Sequence, residues 1–512
     1  MTSDTMTSRG LALAALVSLT GCADEAPTFA CPQPLEDAIT QAALVAHMEA
    51  LADLAQADAG TRAATTPGYA ASLGYVEGAL RDAGYVVTRD AFEYTDYELL
   101  SVPVVEVVAP APRALVPGVD FLSARFSGSG DVTAPVAAVD LALGPDNAST
   151  SACEPADFDG FPAGAIALIQ RGSCAFATKE ALAAEAGASA IVMFNQGNTE
   201  ARVDLFTPRL DPVATLPVVG VSYGLGVELA DALSEGLELR VEVEGRSVTS
   251  RSENLLADAP GAADDGVIVV GAHLDSVPAG PGINDNGSGT AAVLELAVQA
   301  GQCTLQQPVR FAFWGAEELG LIGSASYVRG LSDEGLAALA LYLNLDMIAS
   351  PNFGRFLYDG DGSTYGDAGP PGSAAIEAAL ASYYAERGLP TLEVPFDGRS
   401  DYGPFIALGV PAGGIFTGAE TVKTAEIAAI FGGAADAPYD ACYHRECDDR
   451  GNYDARELHV NARAVAHVVE AYALGRAPLP GDDAASPTTR AANAGRWTAA
   501  VAAHAGCADD ER

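Results

Sequence analysis

Three apolar runs in this chain end on an acid or an imidazole where the run gives way to a small-residue loop. Residues 266–274 close on His273, the run 309–314 leads into Gly315-Ala316-Glu317-Glu318, and residues 341–346 close on Asp346. Helical patterns at 288–299 and 322–330 separate them. Buried strands alternating with helices imply a mostly parallel sheet covered on both faces. In such sheets the groups that bind ligand gather beyond the carboxyl ends of the strands, where these polar residues fall.

The rest of the chain has other textures. Residues 32–84 read as helical, with Leu44, Met48, Leu51 and Leu54 at helical spacing and a second helix near 69–83, and 85–94 alternates as a strand. From 97 to 248, Val-rich strands divided by Gly and Pro, a helix near 178–186 and a strand at 189–194 mark a separate β-rich unit. Segment 478–512 lacks firm periodicity and reads as a flexible tail. A length of 512 residues favours more than one compact unit. Acidic residues outnumber basic ones 68 to 27, which disfavours nucleic acid as a partner.

The N-terminus carries Arg9, an apolar run over 11–19 and then Thr20-Gly21-Cys22, the layout of an export signal over 1–21 followed by a linker over 22–34. Leu19-Thr20-Gly21-Cys22 resembles the bacterial lipobox, which makes Cys22 a lipidation candidate; ordinary cleavage nearby is the alternative. No later run is long enough for a transmembrane helix, so any membrane contact goes through that lipid. An exported chain uses its cysteines mainly in disulfides. Cys153 with Cys174, and Cys442 with Cys447, are close enough in sequence to pair in local loops, whereas the pairing of Cys31, Cys303 and Cys507 stays open.

Taken singly, the candidate site residues are weak signals. His273 could be a hydrogen-bonded strand-end histidine, with Asp275 placed to accept its second ring N–H. Asp285, in Gly282-Ile283-Asn284-Asp285-Asn286-Gly287, could be a turn residue or a carboxylate bridging two cations. Adjacent Glu317 and Glu318 repel one another unless cations or solvent compensate. His444 and Tyr443 sit inside the short loop between Cys442 and Cys447. Jointly, two imidazoles and three carboxylates (His273, Asp285, Glu318, Asp346, His444) match the ligand preference of zinc, and a shared Asp285 lets them serve two ions. His47, His459, His467 and His504 lie in helical or tail contexts, and the chain has neither a His-Glu-x-x-His motif nor a Gly-x-Ser-x-Gly elbow.

Residues 163–174 (AGAIALIQRGSC), with Lys179 and Ala186-Gly187-Ala188, resemble the protease-associated domain over roughly 110–245, a non-catalytic insert. The stretches GAHLDSVPAGPGINDNGSGTAAVLE (271–295), FAFWGAEELGLIGSASYV (311–328), LNLDMI (343–348), DGRSDYGPF (397–405) and YDACYHRECD (439–448) resemble metallopeptidase family 28, most closely its exported bacterial leucyl-aminopeptidase type. That resemblance implies a three-layer α/β/α domain with a mixed, mostly parallel sheet, formed by 35–96 and 250–477 around a protease-associated insert over 97–249. It implies two Zn2+ per chain bridged by Asp285, with His273 and Asp346 completing one site and Glu318 and His444 the other. Glu317 would be the general base, Asp275 the partner of His273, Tyr443 an oxyanion donor, and Asp285–Asn286 a cis peptide. Met347 and Phe405 are candidate lining residues for an apolar first-residue pocket. Tyr402 departs from the family, whose members often carry His there. The expected activity is removal of N-terminal, leucine-like residues from peptides with a free N-terminus by an exported cell-envelope lipoprotein or secreted enzyme. A glutaminyl cyclase-like enzyme and a non-catalytic peptide-binding surface lipoprotein are the competing expectations.

Overall fold

The computed structural model describes residues 1–2, 28–199, 202–263 and 265–480. Most of the export segment, the lipidation candidate Cys22, His504, Cys507 and the tail from 481 onward lie outside the described residues.

Alternation of side chains across the strands builds the three layers. Along Val267–His273, Ile268, Val270 and Ala272 point into one apolar core and Val269 into another. Leu341 and Leu343 face the first core and Tyr342 the second, and Phe311 and Phe313 are likewise opposed by Ala312 and Trp314. Because both faces are buried, these strands read as continuous apolar runs rather than as alternating polar and apolar residues. The first core packs helices Gln41–Ala57, Pro67–Asp82, Gly289–Ala300, Ser373–Glu386 and Ala455–Ala473 against the sheet; the second lies under Ile322–Gly330 and Tyr402–Ala407. Thr40 and Thr66 start the first two of these helices by accepting from the amides of Ala43 and Tyr69.

The sheet has eight strands in the order Val87–Leu99, Gly245–Ala259, Val309–Trp314, Val267–His273, Leu339–Leu345, Ala412–Phe416, Phe356–Tyr358 and Leu392–Val394. The central pairs are parallel, while Val87–Leu99 with Gly245–Ala259, Gly245–Ala259 with Val309–Trp314, and Phe356–Tyr358 with Ala412–Phe416 are antiparallel. Leu339–Leu345 starts two residues earlier than the sequence suggests and stops one short of Asp346, which leaves that carboxylate beyond the strand end. The first two strands form a ribbon in register from Val87↔Ala257 to Leu99↔Gly245. Between them, residues 104–243 build a second eight-stranded sheet with its own cores, which carries helices Phe176–Glu185 and Tyr223–Ala232.

Three disulfides are present among the described residues: Cys153–Cys174, Cys442–Cys447 and Cys31–Cys303. The third answers the open pairing. It fastens the N-terminal segment to the end of helix Gly289–Ala300, beside a backbone bridge between Ala30 and Thr304. Closing so long a loop restricts the unfolded chain, so replacing Cys31 and Cys303 together by Ser should cost ~2–5 kcal/mol. Guanidinium unfolding of the oxidised protein and the double variant measures this, and superimposable curves would contradict it.

Candidate metal centre

Every residue that the sequence offered as a ligand comes from a different segment at one edge of the sheet. His273 ends its strand; its Nδ1 lies 3.1 Å from the backbone oxygen of Asp275 and 3.8 Å from Asp275 Oδ1, which leaves Nε2 facing the cleft. That nitrogen is 3.2 Å from Asp285 Oδ1, 3.4 Å from Asp346 Oδ1 and 3.9 Å from Glu317 Oε2. His444 Nε2 is 3.2 Å from Asp285 Oδ2 and 3.1 Å from Glu318 Oε2. The two oxygens of Asp285 thus belong to two separate triads, His273–Asp285–Asp346 and Asp285–Glu318–His444.

These separations allow a test of fit. Ligands about 2.0 Å from a tetrahedral zinc lie about 3.3 Å from one another. The observed 3.1–3.4 Å edges match this in both triads. Glu318 Oε1 and Asp346 Oδ1 are also buried without a hydrogen-bond partner, an arrangement that a cation would complete.

Electrostatics point the same way. Burial pulls His273 down, but Asp346 and Glu317 more than offset it and leave its pKa well above the usual imidazole value. His444 is also pulled down by burial, yet Glu318 and Asp285 drive it up to about 11. Asp285 resists the upward push of burial through its bonds to both imidazoles and falls below its ordinary value. Both imidazoles are thus biased toward their cationic form by the carboxylates around them.

A surrounding layer holds these side chains in place. Asp275, which burial raises to about 7, accepts from the amides of Glu317 at 3.1 Å and Glu318 at 3.3 Å and so orients the double-acid turn as well as facing His273. Asp448 accepts from the amides of Asn284 at 2.8 Å and Asp285 at 3.0 Å. Ser400 Oγ donates to Asp346 Oδ2 at 2.5 Å. Fully buried Arg62 donates to the carbonyls of Leu274, Pro281 and Gly282, which places a fixed cation behind the acids. The Asp285–Asn286 peptide is cis, and Asn286 bridges to Leu345 O and Gly289 N. Asp448 and Ser400 lay inside the quoted motif stretches, whereas Arg62 carried no local signal.

Beside the triads opens a cavity of about 220 Å³. Met347, Tyr358, Val394, Pro395 and Phe416 supply apolar wall, and Asp397, Arg399 and Glu420 supply charge. Phe405 is a correction: it is fully buried and stacked face to face on Tyr342 at 3.9 Å, because its helix turns that residue toward the sheet. Tyr402, the departure from the family pattern, lines the cavity and donates to Asp397 Oδ1 at 2.6 Å. Tyr443 stacks on the His444 ring at 3.8 Å, and its hydroxyl accepts from Arg399 at 3.4 Å. Burial lifts Tyr443 well above the usual phenol value against the pull of Arg399, so the hydroxyl keeps its proton.

Residues 254–469 match Peptidase family M28, and residues 132–229 match the PA domain. An aminopeptidase of Pseudomonas aeruginosa is 46% identical over 425 residues, 82% of this chain and 79% of that protein. The probable lipoprotein aminopeptidase LpqL of Mycobacterium tuberculosis is 39% identical over 447 residues, 86% of each chain. Among solved structures, the aminopeptidase from Aneurinibacillus sp. strain AM-1 superposes with a TM-score of 0.69 at 26% identity, covering 86% of this chain and 95% of that one. The chain belongs to peptidase family M28, as a metallo-aminopeptidase with an inserted PA domain.

His444 is driven up to about 11, so at pH 8 the metal-free protein carries a proton there that a cation bound at Nε2 would displace. Adding zinc to chelator-stripped protein at pH 8 in weak buffer should release at least one proton per chain, read with an indicator dye. No release would mean that His444 is not a ligand.

Proposed function

We propose that this enzyme is an exported aminopeptidase that holds two Zn2+ per chain and removes apolar, leucine-like residues from peptides with a free N-terminus. The observation that carries the proposal is Asp285, whose two oxygens are divided between two triads of zinc-like dimensions. His273 and Asp346 would hold one ion and Glu318 and His444 the other, with Asp285 shared. Bound there, zinc would supply Lewis-acid polarisation of the scissile carbonyl and a water acidic enough to lose its proton near neutrality.

Glu317 is the proposed general base. It is buried in the cavity wall next to Glu318, with its carboxylate 3.9 Å from His273 Nε2, farther than the 3.2 Å and 3.4 Å at which Asp285 and Asp346 approach that nitrogen. There it can take the proton of the attacking water and return it to the leaving amine. Tyr443 keeps its proton and is proposed to donate to the oxyanion, and Arg399, which bonds to its hydroxyl, holds it in place. Acidic groups at the metal end of the cavity favour the α-ammonium of a free N-terminus, and the apolar wall that includes Met347 favours an aliphatic first side chain.

We assign the catalytic domain to 35–96 and 250–477, the insert to 97–249, and lipid attachment to Cys22. Three disulfides and the printed name of the mycobacterial relative support an exported, envelope-associated enzyme.

Glu317→Gln should lower kcat by about 10²- to 10⁴-fold while zinc content stays unchanged. The wild type should release leucine from a free leucyl peptide and leave its N-acetylated twin intact. Full turnover by Glu317→Gln would refute the base assignment, and cleavage of the acetylated peptide would refute the aminopeptidase specificity.

A further inference from the structure

The Glu317–Glu318 turn is gripped from two sides, and one grip comes from the insert. On the inner side, Asp275 accepts from both amides. On the outer side, Arg209 Nη1 donates to the carbonyl of Leu319, the residue after Glu318, at 2.6 Å. Its guanidinium also lies against the backbone of Gly320, where an added Cβ would meet Nη1 and Nη2 at 3.4 Å each. Ala316, Gly320 and Leu321 all adopt positive φ, so the turn depends on specific anchors rather than on regular helix or strand bonding. Gly320 N and Leu321 N both bond back to Glu317 O, which transmits a fixed Leu319–Gly320 peptide directly to the general base.

Arg209 is itself held. Its backbone bridges to Arg125 through Arg125 N to Pro208 O at 2.8 Å and Leu210 N to Arg125 O at 3.0 Å. Its guanidinium also lies over the Phe126 ring, 5.7 Å from the centroid, as does that of Arg125 at 5.5 Å. Arg125 in turn pairs with Asp96 on the ribbon at 2.8 Å. A chain of contacts therefore runs from the ribbon through the insert to the peptide that follows the double acid.

We infer that Arg209 is a positioning residue for the Glu317–Glu318 turn, so that the insert completes the catalytic centre as a strut. The inference rests on the roles proposed above for Glu317 and Glu318. A charge-assisted bond to a turn carbonyl resists displacement, and a shift of about 1 Å in a reacting group can cost 10²-fold in rate.

The test compares Arg209→Met, which keeps an apolar stem over Phe126 but removes every donor, with Arg209→Lys, which restores one, alongside Glu317→Gln. Arg209→Met should lose about ten- to a hundredfold in kcat with KM unchanged, and Arg209→Lys should recover most of the loss. Because Glu318 lies in the same turn, Arg209→Met should also give up zinc at a lower competitor-chelator concentration than the wild type, measured by metal analysis after dialysis. Wild-type kcat and zinc retention in Arg209→Met would overturn the inference, as would a rise in KM alone, which would mark the insert as governing access. If Glu317→Gln remains fully active, the reading of the turn itself has failed; if Glu317→Gln is inactive and Arg209→Met is unaffected, only the strut has failed.

Discussion

Mutual repulsion among buried carboxylates is the constraint on which the rest of this structure depends. Asp275, Asp285, Glu317, Glu318 and Asp346 meet at one edge of the sheet, each at least nine-tenths buried or nearly so, and Arg62 is the fixed cation buried with them. Burial of unpaired charge is prohibitively unfavourable. Positive charge between these acids, on His444 or on a bound cation, offsets their repulsion.

Much of the scaffolding is explained by the need to hold like charges at fixed separations. Asp285 is fixed through its own amide by Asp448, Asp346 by the Ser400 hydroxyl, and the double-acid turn by Asp275 within and Arg209 without. The sheet provides the common edge: His273 ends, and the double acid and Asp346 follow, central strands whose side chains are buried on both faces. Backbone amides that carboxylates would otherwise leave to water are used as anchors, so the same groups that specify the loops also tune the acids.

The sheet and three of the five proposed ligands, His273, Glu318 and Asp346, were legible because they share one signal, an apolar run that gives way to a polar residue. The strand Val309–Trp314 and the helix Ile322–Gly330 fall where the pattern places them, and the helix after Asp285 begins at Gly289, one residue later than the pattern suggests. What the sequence hid are interactions between distant segments that leave no local pattern. Arg62 reads as an ordinary residue between two helices, the Cys31–Cys303 link spans 272 residues, and Arg209 belongs to a unit that carries no chemistry of its own. Phe405 shows the opposite failure: proximity in sequence to a motif suggested the cavity, while the direction set by a short helix sent the ring into the Trp314–Tyr342 aromatic core.

The most direct test of a shared aspartate is anomalous scattering at the zinc edge from crystals of the zinc-loaded enzyme. Two peaks flanking the Asp285 carboxylate, one beside His273 and Asp346 and the other beside Glu318 and His444, are the predicted result. A single peak, or peaks away from Asp285, would contradict the account.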